Sequence, residues 1–250
     1  MLIWLYWIIS LTLVTYLSSQ IIIKTRYGFA ALVGLYVIYL GASQVLATRI
    51  ITFDLGFYQF YAPSAVFIYP FTAQVIDMIN EVYGQKMTHI AILIAFISQV
   101  LLVIFIAMVN TLPPAPFFQY EEAWASLFGL SIRITIASWI SFIICSNLDA
   151  FVFDRLKKRF RVNEYKFKYD MSINPYVWLR ASLSDAVDLT LDSLIFVTLA
   201  YYGVMPVMPL IIGQIVSKNI IGFIDNPWFV WYKRMLRKRS QEIQVLSPVK

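Results

Sequence analysis

The sequence has very little cysteine and histidine, which narrows the chemistry that it can perform. Its one cysteine, Cys145, lies within an apolar run, so no intrachain disulfide can form. Its one histidine, His89, opens a hydrophobic segment, a position more typical of a membrane interface than of catalysis. With one residue of each kind, neither a zinc site nor a Cys/His nucleophile can be assembled. The sequence also lacks a glycine-rich phosphate-binding loop. We therefore expect no metal and no cofactor.

Charge is scarce as well, and its scarcity excludes an ordinary soluble domain. Only 14% of the residues are charged and 60% are hydrophobic, with a mean hydropathy of +0.71. Soluble domains carry roughly 25% charged residues. The composition therefore predicts an all-α, polytopic integral membrane protein surrounded by membrane lipid. The net charge of +6 does not indicate nucleic-acid binding, because the basic residues collect beside hydrophobic segments.

About seven transmembrane helices are predicted, since seven segments are long enough to cross roughly 30 Å of hydrocarbon. They cover residues 2–23, 29–53, 61–79, 88–109, 130–153, 176–202 and 205–231. The first segment lacks a basic start and a cleavage site, so we interpret it as a retained helix and not a signal peptide. An acidic, aromatic piece at 117–128 is predicted to be a short interfacial helix. We expect one transmembrane domain over residues 1–250, composed of an extra N-terminal helix (2–23), a helical core (29–232) and a basic cytosolic tail (233–250).

The basic residues predict the orientation of these helices. Of the 20 Lys and Arg residues, 16 fall at 24–26, at 86, at 155–168 and from 233 to the C-terminus. These positions follow the odd-numbered helices. The loops on the opposite side contain Asp54, Glu121 and Glu122 but no Lys or Arg outside the predicted helices. Because basic loops stay in the cytosol, the pattern places the N-terminus outside the cell membrane and the C-terminus inside.

The predicted sixth helix contains the most unusual stretch, RASLSDAVDLTLDS at residues 180–193. Four charges at the centre of a membrane helix would cost about 10–14 kcal/mol, whereas the apolar residues of this segment return about 3–7 kcal/mol. Asp185, Asp188 and Asp192 share one face of a helix. Pairing with cations on other helices could neutralise them, but so many intramembrane charges favour a water-accessible polar cavity. We expect Asp192 and Lys218 to face that cavity together.

Three blocks of sequence carry a resemblance to a known family. They are YPFTAQVIDMINEVYG (69–84), IRITIASWISFIICSNLDAFVFDRLK (132–157), and WLRASLSDAVDLTLDSLIF followed by GQIVSK (178–196 and 213–218). In order and spacing the chain resembles the queuosine precursor transporters, a subgroup of the vitamin uptake transporter family. It departs from the family pattern at Leu189, where many members have Gln or Asn, and at Ala181, where many have Asn.

The resemblance implies import of a 7-deazaguanine, either the nitrile or aminomethyl precursor or queuine, for tRNA modification. It also implies a fold similar to the six-helix membrane components of vitamin importers, with one extra N-terminal helix. A guanine-like base offers N–H donors that a carboxylate accepts and an oxygen that Arg, Lys or Gln can bind. The residues predicted to bind the substrate are Asp77, Glu81, Tyr83, Arg133, Asp149, Arg180, Ser184, Asp192, Gln214 and Lys218. Candidates for a stacking face are Tyr69, Phe71, Tyr83, Trp139 and Phe153. Pro63 and Pro70 suggest a discontinuous third helix of the kind that forms substrate sites.

Several alternatives stay open at this point. The chain could act alone, as a homo-oligomer, or as the substrate-binding membrane component of a larger importer for another vitamin, with an energising partner. An enzyme is a different class of alternative, because Asp188-x3-Asp192 matches the end of the CDP-alcohol phosphotransferase signature. The Asp-Gly and Ala-Arg parts of that signature are missing here, so we expect a transporter and not an enzyme.

Overall fold

The computed structural model describes residues 2–47, 49–54, 59–128, 132–166, 174–204 and 206–246. Almost all of these residues are helical, in α1 (Leu2–Lys24), α2 (Gly28–Ala47), α3 (Tyr69–Val109), α4 (Glu121–Phe128), α5 (Ile132–Lys166), α6 (Pro175–Tyr201) and α7 (Val207–Leu246). Two short antiparallel strands, β1 (Ile50–Asp54) and β2 (Gln59–Pro63), form a hairpin between α2 and α3. The predicted helical membrane fold is confirmed, and the hairpin is an addition to it.

The helix α3 consists of two arms, because Gly84 interrupts it with a positive φ of 78°. Glycine adopts this conformation without the steric cost that a Cβ atom brings. The first arm follows α5 in one direction, through Tyr69 beside Phe142, Asn80 with Ala150, and Glu81 with Lys157. The second arm returns along α5, through His89 with Asn147 and Phe96 with Trp139. The two arms are therefore antiparallel, and they correspond to the predicted third and fourth membrane segments.

Five helical elements of the described chain are long and apolar enough to cross a membrane. They are Leu5–Lys24, Gly28–Ala47, Ser64–Val109, Arg133–Glu164 and Val207–Arg237. The 27-residue α6 is about 40 Å long, so it is long enough too, but it carries four charges. It packs against α5 and α7, which cover its polar side. The five elements give six crossings when the two arms of α3 are counted separately. With α6 added, the fold accommodates seven crossings.

The hairpin corrects two predicted boundaries. The second membrane segment was expected to reach residue 53 and the third to start at 61, whereas α2 ends at Ala47 and α3 begins at Tyr69. The strands β1 and β2 read IITFD and QFYAP, and such β-branched and aromatic residues favour a pleated strand. Pro70 lies in the first turn of α3, where a missing N–H costs nothing. Pro63 is the last residue of β2, so neither proline interrupts α3; the interruption is at Gly84, between the predicted third and fourth segments.

A glycine of α7 allows the hairpin to pack closely against that helix. A Cβ atom on Gly213 would lie 2.3 Å from the carbonyl oxygen of Tyr61 in β2, a distance that no real contact tolerates. The short helix α4 confirms the helix predicted at 117–128. It is anchored where Trp124 Nε1 donates to Asn110 Oδ1 at 2.8 Å, just beyond the end of α3.

Candidate functional site

Three polar levels follow one another along α6, inside the bundle. Arg180, Asp185 and Asp192 mark these levels, and all three side chains are buried. Because a helix rises 1.5 Å per residue, the first and last levels are about 18 Å apart. Asp188 is buried between the levels of Asp185 and Asp192, so the predicted polar face of α6 is continuous. We call the level at Arg180 the ion-pair network, the level at Asp185 the acidic cluster and the level at Asp192 the Asp192 cavity.

The Asp192 carboxylate forms a salt bridge with Lys218 of α7, so the two residues that were expected to face one cavity are in contact. Ser141 of α5 donates its hydroxyl to Asp192 Oδ1 at 2.7 Å. The Lys218 ammonium also lies 3.7 Å from the ring centre of Tyr69, a cation–π contact. Both charged side chains are thus desolvated and compensated, which is the condition under which a buried pair can persist.

A small cavity adjoins this ion pair. Its volume is about 40 Å³, and its walls are Leu40, Ser43, Gln44, Tyr69, Gln99, Ser138, Trp139, Phe142 and Asp192. Two buried polar atoms in this wall have no hydrogen-bond partner, Gln99 Oε1 and Trp139 Nε1. One is an acceptor and the other a donor. Buried polar groups are nearly always paired in proteins, so the cavity presents groups that a polar ligand or ordered water would satisfy.

The acidic cluster brings together carboxylates from three helices. One oxygen each from Asp77, Asp149 and Asp185 lies within 4.8 Å of the others. These residues are only 1%, 1% and 7% exposed, and Ser184 donates to Asp149 Oδ1 at 2.5 Å. Two full negative charges no more than 4.8 Å apart repel by at least about 3.5 kcal/mol at an effective dielectric constant of 20. The cluster cannot hold three uncompensated charges.

The ion-pair network is organised around Arg180, whose side chain is fully buried. Its Nε donates to Glu164 at 2.6 Å and its Nη2 to Glu81 at 2.7 Å. The guanidinium also lies 4.6 Å from the ring centre of Phe153 and 5.5 Å from that of Phe229. Planar guanidinium groups suit such paired and stacked positions.

Two lysines complete the network and connect it to the remaining helices. Lys233 of α7 binds Glu81 at 3.0 Å and also binds Glu164. Lys157 of α5 lies 3.8 Å from the Glu81 carboxylate and donates to the carbonyl oxygens of Asn80 and Glu81. Side chains from α3, α5, α6 and α7 are therefore joined at the end of the bundle that the charge pattern predicts to be cytosolic.

The predicted site residues are distributed over all three levels. Asp192 and Lys218 lie at the cavity, and Gln214 is buried one turn before Lys218 with an unpartnered Oε1. Asp77, Asp149 and Ser184 belong to the acidic cluster, while Glu81 and Arg180 belong to the ion-pair network. Among the predicted stacking residues, Tyr69 and Trp139 line the cavity.

Two predicted residues are not brought into these levels. Arg133 is exposed, and it donates to the carbonyl oxygens of Leu199 and Tyr202 at 2.7 and 2.6 Å. It binds the last carbonyl groups of α6, as basic residues often do at helix C-termini. Tyr83 is half-buried at the end of the first arm of α3, where it packs edge-on against Phe29.

The structure also adds residues that the sequence analysis did not select. Gln99 could have been found, because it is an isolated amide in the apolar run of the second arm of α3. Glu164 and Lys233 lie in strongly charged segments assigned to the cytosol, and no sequence signal separates them from their neighbours. Their importance comes only from the packing of α5 against α6 and α7.

Comparison with known proteins identifies a family whose model matches most of the chain. Residues 63–232 match the family model described as "Putative vitamin uptake transporter". The "Probable queuosine precursor transporter" of Bacillus subtilis (strain 168) is 24% identical over 163 residues, which cover 64% of this chain and 66% of that protein. The chain thus aligns with slightly less than two thirds of that relative's length. No solved structure matches the chain. The family match contains the acidic cluster and most of the other two levels, but it ends one residue before Lys233 and does not include α1, α2 or β1.

Proposed function

Because the chain belongs to the vitamin uptake transporter family, we propose that it imports a 7-deazaguanine base for tRNA modification, with the Asp192 cavity as its recognition site. The name of the Bacillus subtilis relative supports this substrate class. The observation that carries the proposal is chemical. The residues that line the cavity include a buried carboxylate that is paired with an ammonium group, an amide with an unpartnered oxygen and an indole with an unpartnered N–H.

These groups complement a guanine-like base. Its amino group and ring N–H are donors, which Asp192 and Gln99 Oε1 can accept. Its oxygen is an acceptor, to which Lys218 and Trp139 Nε1 can donate. The rings of Tyr69 and Trp139 line the same space and provide apolar faces for the flat heterocycle. Glu81 is less suited to this task, because it does not line the cavity and its carboxylate is held by both Arg180 and Lys233. Asp192 lines the cavity and pairs with Lys218, so the base would share its carboxylate with one cation.

The cavity must widen before it can hold a base. Its volume of about 40 Å³ accommodates water, whereas small-molecule sites commonly measure roughly 300–1,000 Å³. We infer that the substrate is admitted when α2, the arms of α3 and α5 move apart around Asp192. The ion-pair network would then close the opposite end of the path, since it joins four elements with charged side chains.

The charge pattern supports inward transport across a cell membrane. The C-terminal end of α7 and the end of α5 carry most of the basic residues. Because basic loops stay in the cytosol, we infer that these ends lie there. In this orientation the Asp192 cavity lies nearer the outside and the ion-pair network nearer the cytosol. A substrate bound at Asp192 would thus come from outside the cell.

The proposed function does not include catalysis. The metal-dependent phosphotransferase would require Asp188 and Asp192 as metal ligands. In the described part of the chain, the group of carboxylates close enough to hold a metal consists of other residues, Asp77, Asp149 and Asp185. Asp192 is instead bound to Lys218, which would compete with a metal for its oxygen.

A binding experiment with matched variants tests the proposal. The purified protein is screened by thermal shift against the nitrile and aminomethyl deazaguanines, queuine, guanine and several vitamins. We expect stabilisation by a deazaguanine, and its loss in Asp192→Asn, because an amide presents one acceptor and one donor where two acceptors are needed. Asp154→Asn is the control. It makes the same chemical change at a carboxylate that pairs with the exposed Lys158.

Uptake by cells that cannot make their own precursor completes the test. The parent and Asp154→Asn should restore queuosine in tRNA, while Asp192→Asn should not, although it still inserts into the membrane. Stabilisation by a vitamin and by no deazaguanine would contradict the proposed substrate and favour an importer for that vitamin. Turnover of a lipid in a metal-dependent manner would contradict the transporter itself.

A further inference from the structure

The acidic cluster has more hydrogen-bond acceptors than donors. Four buried oxygen atoms there have no partner: Asp77 Oδ1, Asn80 Oδ1, Asp149 Oδ2 and Asp185 Oδ1. Because ionised carboxylates and amide oxygens only accept hydrogen bonds, they cannot satisfy one another. A buried group of unpaired acceptors indicates that something positively charged or rich in donors binds between them.

Asn80 is the observation that distinguishes this cluster from a simple group of acids. It is neutral, fully buried and one helical turn from Asp77. Its Nδ2 donates to the carbonyl oxygen of Ala150 at 2.9 Å, which fixes the amide beside Asp149 in α5. Its oxygen is buried without a partner, on a side chain that lies one turn from Asp77 and is bonded to the residue that follows Asp149. An amide oxygen together with carboxylates is a typical ligand set for a hard cation.

The buried basic side chains of the described chain do not neutralise the acidic cluster. The described part of the chain contains seven buried carboxylates but only two buried basic side chains, Arg180 and Lys218. Lys218 is bound to Asp192, and Arg180 uses two of its three nitrogens to bind Glu81 and Glu164. Only Arg180 Nη1 is left without a partner, and it cannot compensate three carboxylates.

The spacing of the carboxylates fits a small ion. Three oxygen atoms that all lie within 4.8 Å of one another can each be no more than about 2.8 Å from a common centre, which is close to the roughly 2.3–2.6 Å of Ca²⁺–oxygen contacts. A heterocyclic base cannot enter between atoms this close together. This excludes the transported base as the group that the cluster binds.

We propose that Asp77, Asn80, Asp149 and Asp185 form a binding site for a small, hard inorganic cation, either Na⁺ or a divalent ion such as Ca²⁺ or Mg²⁺. The site connects α3, α5 and α6, the three helices that contribute to both the Asp192 cavity and the ion-pair network. A bound cation would hold these helices together between the two levels. It does not depend on the identity of the transported base.

The test measures cation binding to the purified full-length chain without any base. The protein is treated with a chelator and transferred to choline chloride. Its thermal unfolding is then followed during titrations with NaCl, CaCl₂ and MgCl₂ at constant ionic strength. We expect at least one of these cations to raise the unfolding temperature in a saturable manner, as a ligand of the folded state must. Isothermal titration calorimetry with that cation should give the same affinity.

Three variants assign the effect to the cluster. Asp149→Asn removes a ligand, and Ser184→Ala removes only the hydroxyl that orients Asp149. Loss of such an outer partner usually weakens metal binding by about 10–100-fold, so Ser184→Ala should do so and Asp149→Asn should weaken binding at least as much. Asp154→Asn, on the same helix but paired with Lys158, should bind like the parent.

The outcomes separate the proposal from its alternatives. If no cation exceeds the effect of choline, the proposal is wrong, and parent-like stability of Asp149→Asn would then indicate that protons neutralise the cluster. It is also wrong if a cation binds but Ser184→Ala and Asp149→Asn bind it as tightly as the parent. If Asp149→Asn does not fold, the parent titration and Ser184→Ala still decide the question.

Discussion

Removal of the charges at Asp192 and Lys218, singly and together, is the most direct test of the buried ion pair. Breaking a buried pair by neutralising one partner commonly costs about 3–5 kcal/mol, because the other charge is left uncompensated. The local contacts indicate where in this range each variant lies. After Asp192→Asn, the Lys218 ammonium retains its contact with the Tyr69 ring, and Ser141 can still donate to the new amide. We expect a loss of about 3 kcal/mol.

Lys218→Gln should be the more harmful of the two. It leaves the Asp192 carboxylate in a region that already contains the buried Asp188 one turn away, and it also removes the cation–π contact. The loss of stability should be about 5 kcal/mol. For a chain of this size, each kcal/mol lowers the unfolding temperature by roughly 2–4 °C. The shifts should thus be about 6–12 °C for Asp192→Asn and about 10–20 °C for Lys218→Gln.

The double variant Asp192→Asn/Lys218→Gln provides the decisive measurement. It leaves no uncompensated charge, so much of the folded yield and of the unfolding temperature should return, while uptake stays lost. Thermal unfolding of the purified variants, together with uptake in cells, measures both properties. Ser141→Ala serves as the reference for a single lost hydrogen bond, at about 1 kcal/mol. The pairing argument is refuted if either single variant is as stable as the parent, or if the double variant is no better than Lys218→Gln.

Three further outcomes are expected. Gly213→Ala should lower the unfolding temperature and displace the hairpin, because its methyl group would clash with the backbone of Tyr61; a parent-like melting curve would show that the contact is loose. Arg180→Met should destabilise the protein by about 3–5 kcal/mol, since Glu81 and Glu164 would lose their main partner. Parent-like stability would mean that Lys157 and Lys233 alone compensate the two carboxylates. A reporter fused after residue 250 should be cytosolic and one inserted at Glu121 external; a cytosolic signal at Glu121 would contradict the number of crossings.

The membrane fold could be predicted from the sequence because its determinants are local. Each crossing needs a long apolar run, and each basic loop is visible as a cluster of Lys and Arg. The pairing of Asp192 with Lys218 was also predictable, since two isolated opposite charges at similar depth on successive helices have few other partners. The β1–β2 hairpin was missed because a short apolar run is compatible with both a strand and the end of a membrane helix.

The functional levels required the tertiary structure. The sequence determined that Asp77, Glu81, Asp149 and Arg180 lie within or near the membrane and must be compensated. It did not determine their partners, because the contacts depend on which faces of α3, α5, α6 and α7 meet. Only the packing of these helices places Asp77 beside Asp149 and Glu81 beside Arg180. Intramembrane charge is a property of each segment, whereas its compensation is a property of the space between segments, and the fold alone defines that space.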